Sequence, residues 1–295
     1  MSILADKNTK ILVQGITGVQ ASFHVKRAMA GGTRVVAGVS PYKGGTVYNG
    51  VPVFATVKEA VAATGATASM MFVPARFLKS AAREAIEAEL DLAVTIAEGV
   101  PIRDMLEIKA MLKGSKTVLI GPNTPGVIVP DEASLGFFPE IIHHAGDIGI
   151  VSRSSTLTYE ATLEVCRAGH GQSTVVGLGD DMIVGTDFVE ILKRFHQDDA
   201  TKAIVMLGNT GGMYEELAAE YYAGLANKKP VITYIAGVKF TLDYKIGYAG
   251  DIITHGKITA EDKKALMRKS GMIVVDSVND IHTVLRNLPL NQAEK

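Results

Sequence analysis

Four short stretches of this 295-residue sequence carry residue types that can do chemistry. Gln14-Gly15-Ile16-Thr17-Gly18-Val19-Gln20 sets two glycines three positions apart, where an apolar run gives way to a helix-period segment. Glycines there let the backbone turn tightly and approach a pyrophosphate, and the helix N-terminus offers its unpaired N–H groups. Gly-x-x-Gly is nevertheless not the Gly-x-Gly-x-x-Gly dinucleotide fingerprint. The next apolar run ends in Ser40-Pro41-Tyr42-Lys43-Gly44-Gly45, where an NAD site wants an acidic residue for the ribose hydroxyls. A lysine on a glycine-rich loop suits a phosphorylated ribose, and a plain surface lysine on a tight turn fits equally well. Taken together, the two loops favour a phosphate-rich adenosine ligand over NAD.

The third stretch, Ser152-Arg153-Ser154-Ser155-Thr156, precedes another helical segment. Serine and threonine are good N-caps, and the positive end of the helix dipole favours an anion. A well-capped helix with no ligand is the commoner reason for such a sequence. The fourth, Lys245-Ile246-Gly247-Tyr248-Ala249-Gly250, holds a tyrosine in a glycine-bearing loop, with His255 further along it.

The elements that position these residues follow from periodicity. KILVQGI, TRVVAGVS, ASMMFVPA, DLAVTIAEG and KTVLIGPN are apolar throughout and alternate with helix-period segments. Strands of that kind are buried on both faces, as in a parallel sheet covered by helices. A doubly wound α/β domain is expected over residues 1–125, a linker with an ordered excursion over 126–146, and a second α/β domain over 147–288. In open α/β sheets ligands sit at the carboxyl ends of the strands, and all four stretches fall there.

Composition narrows the function classes. A formal net charge of −1 gives no nucleic-acid-binding surface and no polybasic membrane patch. MSILADKNTK lacks an apolar signal region and no apolar run reaches transmembrane length, so a soluble cytoplasmic protein is expected. The single cysteine, Cys166, is expected to be a buried structural thiol. His143 and His144 are expected on a solvated connection, and His170 beyond a helix C-terminus.

"MSILADKNTKILVQGITG", "VPVFATVKEAVAATGATAS", "GPNTPGVI", "GIVSRSSTLTYEA" and "GQSTVVGLG" make the chain similar, collinearly and nearly throughout, to the α-subunit of succinyl-CoA synthetase. The resemblance implies a CoA-binding Rossmann-like domain followed by a flavodoxin-like domain. It implies that Thr17, Gly18, Val19 and Gln20 hold the CoA phosphates, that Lys43 meets the nucleotide end, and that Val73, Pro74, Ile96, Ala97 and Glu98 line the rest of the path. It further implies a β-type partner carrying an ATP-grasp domain with ATP or GTP and magnesium, in a heterodimer or heterotetramer, and a small carboxylic acid as substrate. No metal is expected on this chain. The helix after Ser154 and Ser155 points, in that family, at a phosphorylated histidine, and Tyr159 matches a residue near the subunit contact.

The departures from the family cluster in one place. Its Met-Gly-His-Ala-Gly loop, whose histidine accepts the phosphoryl group, is here Ile246-Gly247-Tyr248-Ala249-Gly250. The glutamate that orients the histidine is Asn209, a glycine of Gly-Ile-Gly-Gly-Asp is Asp180, a glycine beside the helix is Ser155, and a cysteine is Thr124. A nucleophilic histidine needs a carboxylate to fix its tautomer. With the histidine absent, Asn209 removes a charge that has lost its purpose. Tyrosine, with a pKa of about 10, does not replace it chemically. His255 is the only plausible substitute relay, displaced well away from the helix. The sequence therefore predicts an acid–CoA ligase α-type subunit without a phosphohistidine; a CoA-binding regulatory or scaffolding subunit is the alternative. An NAD-linked dehydrogenase is disfavoured by Lys43.

Overall fold

The structure, a computed structural model, describes residues 3–237 and 259–290. The chain forms two compact units, the first of residues 4–140 with 183–186 and the second of the remainder. Tyr248 and His255 lie outside the described residues.

The first unit runs β1 (Ile11–Gln14), α1 (Val19–Ala30), β2 (Val35–Val39), β3 (Val47–Tyr48), β4 (Val51–Phe54), α2 (Val57–Thr64), β5 (Ala68–Met71), α3 (Ala75–Glu87), β6 (Leu92–Thr95), α4 (Ile102–Leu112) and β7 (Val118–Ile120). Every residue of β1, β5 and β6 is buried, as the uniform apolar runs require of strands covered on both faces. The sheet order is β3-β4-β2-β1-β5-β6-β7, parallel except for the β3–β4 pair. Helix α3 shows the covering layer: Leu78, Ala81, Ala82 and Ala85 share one buried face at helical spacing. The chain goes from β1 to β2 on one side and returns to β5 on the other, so the strand order reverses beside β1. Residues 126–136 contain an antiparallel hairpin, β8 (Gly126–Val129) and β9 (Ala133–Gly136).

The second unit runs β10 (Ala145–Ser152), α5 (Ser155–Arg167), β11 (Gln172–Gly177), α6 (Phe188–Gln197), β12 (Ala203–Gly208), α7 (Tyr214–Ala223), β13 (Val231–Ile235), α8 (Ala260–Ser270), β14 (Ile273–Val274) and α9 (Ile281–Asn287). Five parallel strands follow the order β14-β13-β12-β10-β11, the flavodoxin-like arrangement with its reversal beside β10. All six residues of β12 are buried. Helix α6 starts at Asp187, whose carboxylate accepts the Glu190 N–H at 3.1 Å, and buries Phe188, Ile191, Leu192 and Phe195.

Three side chains differ from expectation or refine it. His143 is buried rather than solvated, its side chain turned inward from a connection whose neighbours Ile141 and His144 are exposed; His144 is exposed as expected. Cys166 is only half-buried, donating to the Ile142 carbonyl at 3.7 Å and accepting from the Gln172 amide at 3.4 Å. His170 follows the α5 C-cap and pairs through Nδ1 with Asp147 at 2.9 Å.

Candidate functional site

The reversal in each sheet gathers the chemistry-bearing loops at the carboxyl ends of the strands. In the first unit, Gly15 adopts φ +80°, which favours glycine, and a Cβ there would sit 2.5 Å from the Phe72 carbonyl oxygen. That close approach lets the loop after β1 lie against the residue that follows β5. Gly18 caps α1 with no side chain, and Val19 and Gln20 are exposed while Thr17 is half-buried. After β2, the Lys43 N–H donates to the Ser40 carbonyl at 3.0 Å and its own carbonyl accepts from the Thr46 hydroxyl at 2.7 Å. The Lys43 side chain is exposed on this turn, beside an open cleft of about 440 Å³ lined by Pro41, Tyr42, Thr46, Phe54 and Glu59.

Pro74 caps α3 after β5; Val73, Ile96 and Ala97 are half-buried and Glu98 is exposed after β6. The loops after β1, β2, β5 and β6, with the first two residues of α1, thus carry all ten residues of the expected CoA path at one sheet edge. His24 joins this edge unforeseen. It stands one turn beyond Gln20, with its ring stacked on Phe72 at 5.9 Å. Burial, and then the Arg27 charge, hold its imidazolium below the ordinary range.

The second edge is different in kind. Arg153, directly before the α5 cap, is 1% exposed, and its guanidinium gathers three loops. Nη1 donates to the Gly211 carbonyl at 2.9 Å and lies 3.7 Å from Glu215; Nη2 lies 3.5 Å from the Asp180 carboxylate. Asp180 Oδ1 also accepts from the Asn209 amide at 2.6 Å, and both residues are buried. Tyr214 packs its ring 5.5 Å from the guanidinium carbon. Glu215, fully buried, accepts the Asn209 N–H at 3.0 Å through one oxygen and Lys263 at 2.7 Å through the other. Lys263, on α8, donates to the Gly212 carbonyl at 3.0 Å and pairs with Glu216 at 3.3 Å.

Ser154 caps α5, its hydroxyl accepting the Leu157 N–H at 3.3 Å, and Ser155 is the first helical residue. Tyr159 is half-buried one turn on, and burial raises its phenol pKa. Thr124 is buried, and its hydroxyl accepts the Gly126 N–H at 2.9 Å.

Asp180, Asn209 and the loop of Ser154 are therefore brought to one place, whereas Glu215 and Lys263 escaped the sequence reading. Acidic residues in the first turn of α7 look like ordinary complements to a helix dipole. Lys263 sits in the run Glu261-Asp262-Lys263-Lys264, which reads as a solvated helix face. The usable signal was spacing: Lys263 and Met267 are four apart and both buried.

This pairing of sheets, with one exposed glycine-rich cradle and one buried charged cluster, defines a CoA-ligase chain by its matches. Residues 6–99 match the family model described as CoA binding domain, and residues 151–273 match the one described as CoA-ligase. The subunit alpha of succinate–CoA ligase (ADP-forming) from Staphylococcus aureus is 47% identical over 285 residues, 97% of this chain and 94% of that protein. The Staphylococcus epidermidis counterpart matches to the same extent. The chain belongs to the succinate–CoA ligase α-subunit family. Among solved structures, ATP citrate lyase from Methanothrix soehngenii, in complex with citrate and coenzyme A, superposes with a TM-score of 0.87 at 24% identity, a likeness of fold. The match covers 96% of this chain, which spans about half the length of that lyase. Among the described residues no helix is long and apolar enough to cross a membrane.

Proposed function

We propose that this chain is the cytoplasmic α-type subunit of a nucleotide-dependent acid–CoA ligase that works without a phosphohistidine on this subunit. Residues 1–125 bind CoA through Thr17, Gly18, Val19 and Gln20 at the phosphates, Lys43 at the nucleotide end, and Val73, Pro74, Ile96, Ala97 and Glu98 along the remainder. Residues 126–146 connect them to the ligase domain of residues 147–288. A β-type ATP-grasp partner, in a heterodimer or heterotetramer, supplies ATP or GTP with magnesium and makes an acyl phosphate from a small carboxylic acid. The CoA thiol sulfur then attacks the acyl carbon, the C–O bond to phosphate breaks, inorganic phosphate leaves, and the thiol proton passes to solvent. Asn209, Asp180, Ser154, Ser155, Tyr159 and Tyr248 shape the acid pocket and carry no phosphoryl group.

One observation carries this reading. The Asn209 amide donates to Asp180 inside the Arg153 cluster, so the residue at the position of the histidine-orienting glutamate is committed to a neighbour. Tyr248 at the histidine position agrees with it. The test is to co-express the chain with its β-type partner and incubate the complex with γ-labelled nucleotide, CoA and a panel of carboxylic acids. The expected outcome is acid-dependent thioester with this chain unlabelled. An acid-labile label mapping to His255 would make that residue the relay and end the direct-attack reading. The same changes also fit a CoA-binding regulatory or scaffolding subunit, and that second reading holds if the complex binds CoA but forms no thioester with any acid.

A further inference from the structure

We propose that Asp180 is a resident anion: its carboxylate occupies the anion position beside the Arg153 guanidinium and closes that position to free phosphate. The inference deepens the proposed function, naming what stands where a transferred phosphoryl group would otherwise be received.

The cluster is built around a fully buried guanidinium. Removing a charge from water is costly unless it is paired and hydrogen-bonded, so each side of Arg153 needs a partner. Nη1 has the Gly211 carbonyl and, at 3.7 Å, Glu215. Glu215 is largely spent elsewhere, on Lys263 at 2.7 Å and the Asn209 N–H at 3.0 Å. On the Nη2 side the anion is Asp180 at 3.5 Å, and the Asp181 carbonyl lies at the same distance. Among the described residues Nε has no hydrogen-bond partner. Asp180 is held in place by the 2.6 Å bond from Asn209.

A carboxylate flanked by a guanidinium and a side-chain amide is the arrangement a small oxyanion would take in the same spot. Here the anion is covalently part of the loop after β11, at an effective concentration no free anion matches. Arg153 also directly precedes the cap of α5, whose dipole adds to the attraction for negative charge. Deleting the Asp180 side chain therefore leaves a buried cation short of its anion beside a helix N-terminus, and opens a volume of carboxylate size between Arg153 and Asn209.

The test uses the full chain alone, inorganic phosphate as the probe, and broadening of the phosphate phosphorus resonance as the readout. Thermal melts run beside it establish that each variant is folded. Wild type is expected to leave the resonance sharp. Asp180→Gly is expected to bind phosphate at least about tenfold more tightly, and Asp180→Asn, which removes the charge but keeps the shape, to gain less. Adding Arg153→Met to Asp180→Gly should abolish the gain. The proposal is overturned if wild type binds phosphate as well as a folded Asp180→Gly chain, or if the gain persists without Arg153. No partner, nucleotide or turnover enters this titration, so its failure is distinct from a failure of the ligase reading, which thioester formation by the complex decides.

Discussion

The two sheets reverse their strand order in the same way and put opposite materials at the reversal. Beside β1 the loops are glycine-rich and largely exposed: Lys43, Val19 and Gln20 face water, and Gly15 lets two backbones nearly touch. Beside β10 the loops carry Arg153, Asp180, Glu215 and, from α8, Lys263, all buried and paired with one another. The first edge leaves its donors exposed. The second has spent them internally. Topology therefore fixes where a site can form in a doubly wound sheet, and side-chain pairing decides whether it is open.

The comparison breaks most sharply at Lys263. Lys263→Met leaves Glu215 and Glu216 buried without their ammonium partner and withdraws donors from the Gly211 and Gly212 carbonyls. Removing one member of a buried ion pair costs about 3–5 kcal/mol. Urea unfolding should show that loss, while CoA affinity, a property assigned to the first edge, should change little in the fraction that stays folded. An equal loss of CoA affinity would mean the two edges are not independent.

The next effect is expected at Gly15. An alanine at φ +80° carries about 1–3 kcal/mol of backbone strain, and its Cβ also meets the Phe72 carbonyl oxygen. Calorimetry on Gly15→Ala should show weakened CoA binding, with phosphate behaviour at the second edge unaltered. Lys43→Ala is milder. Its ammonium is exposed, so loss of the contact to the nucleotide end should cost about 1–2 kcal/mol of CoA affinity, and less at high salt. Tight NAD binding with no CoA binding would sink the assignment of the first edge altogether.

The same contrast explains how much was legible in the sequence. Uniform apolar runs such as Ile11–Gln14 and Ala203–Gly208 can only be strands covered on both faces, so two doubly wound layers followed from them directly. Loops after such strands are where ligands go, which marked Gly15, Lys43 and Ser154, while departures from the family's motifs marked Asp180 and Asn209. The buried charges were a different matter. Glu215 and Lys263 are 48 positions apart, and only the folded sheet places them 2.7 Å from one another. A lone charged residue on a helix reads as solvated because most are, and its partner is invisible until the topology is known. His143 was misplaced for the same reason, since nothing local tells which side chain of an exposed connection turns inward.

A histidine in each unit gives the smallest effect and the finest test of independence. His196, on α6 in the second unit, donates Nδ1–H to the Leu192 carbonyl at 2.7 Å when neutral, and its buried Nε2 has no hydrogen-bond partner among the described residues. Burial lowers its pKa first, the Leu192 bond opposes that, and the Lys229 charge lowers it further, for a net fall below the ordinary imidazole value of 6.5. His24, in the first unit, is lowered by burial and then by Arg27. The sign follows from proton linkage: between the unfolded pKa near 6.5 and the depressed folded value, the unfolded chain binds more protons. Stability contributed by the neutral rings is therefore present above that unfolded pKa and is lost as pH falls through the folded values. Carboxylates held low, such as Asp262 and Asp276, act at lower pH, while Glu140, raised by burial against the pull of Arg27, acts with the opposite sign in every variant alike. Melts between pH 7.5 and 5 (an experimental range) should fall in wild type, fall less in His196→Gln and in His24→Gln, and fall least in the double variant. If the two substitutions flatten the profile by more or less than their sum, the two histidines are energetically coupled rather than independent.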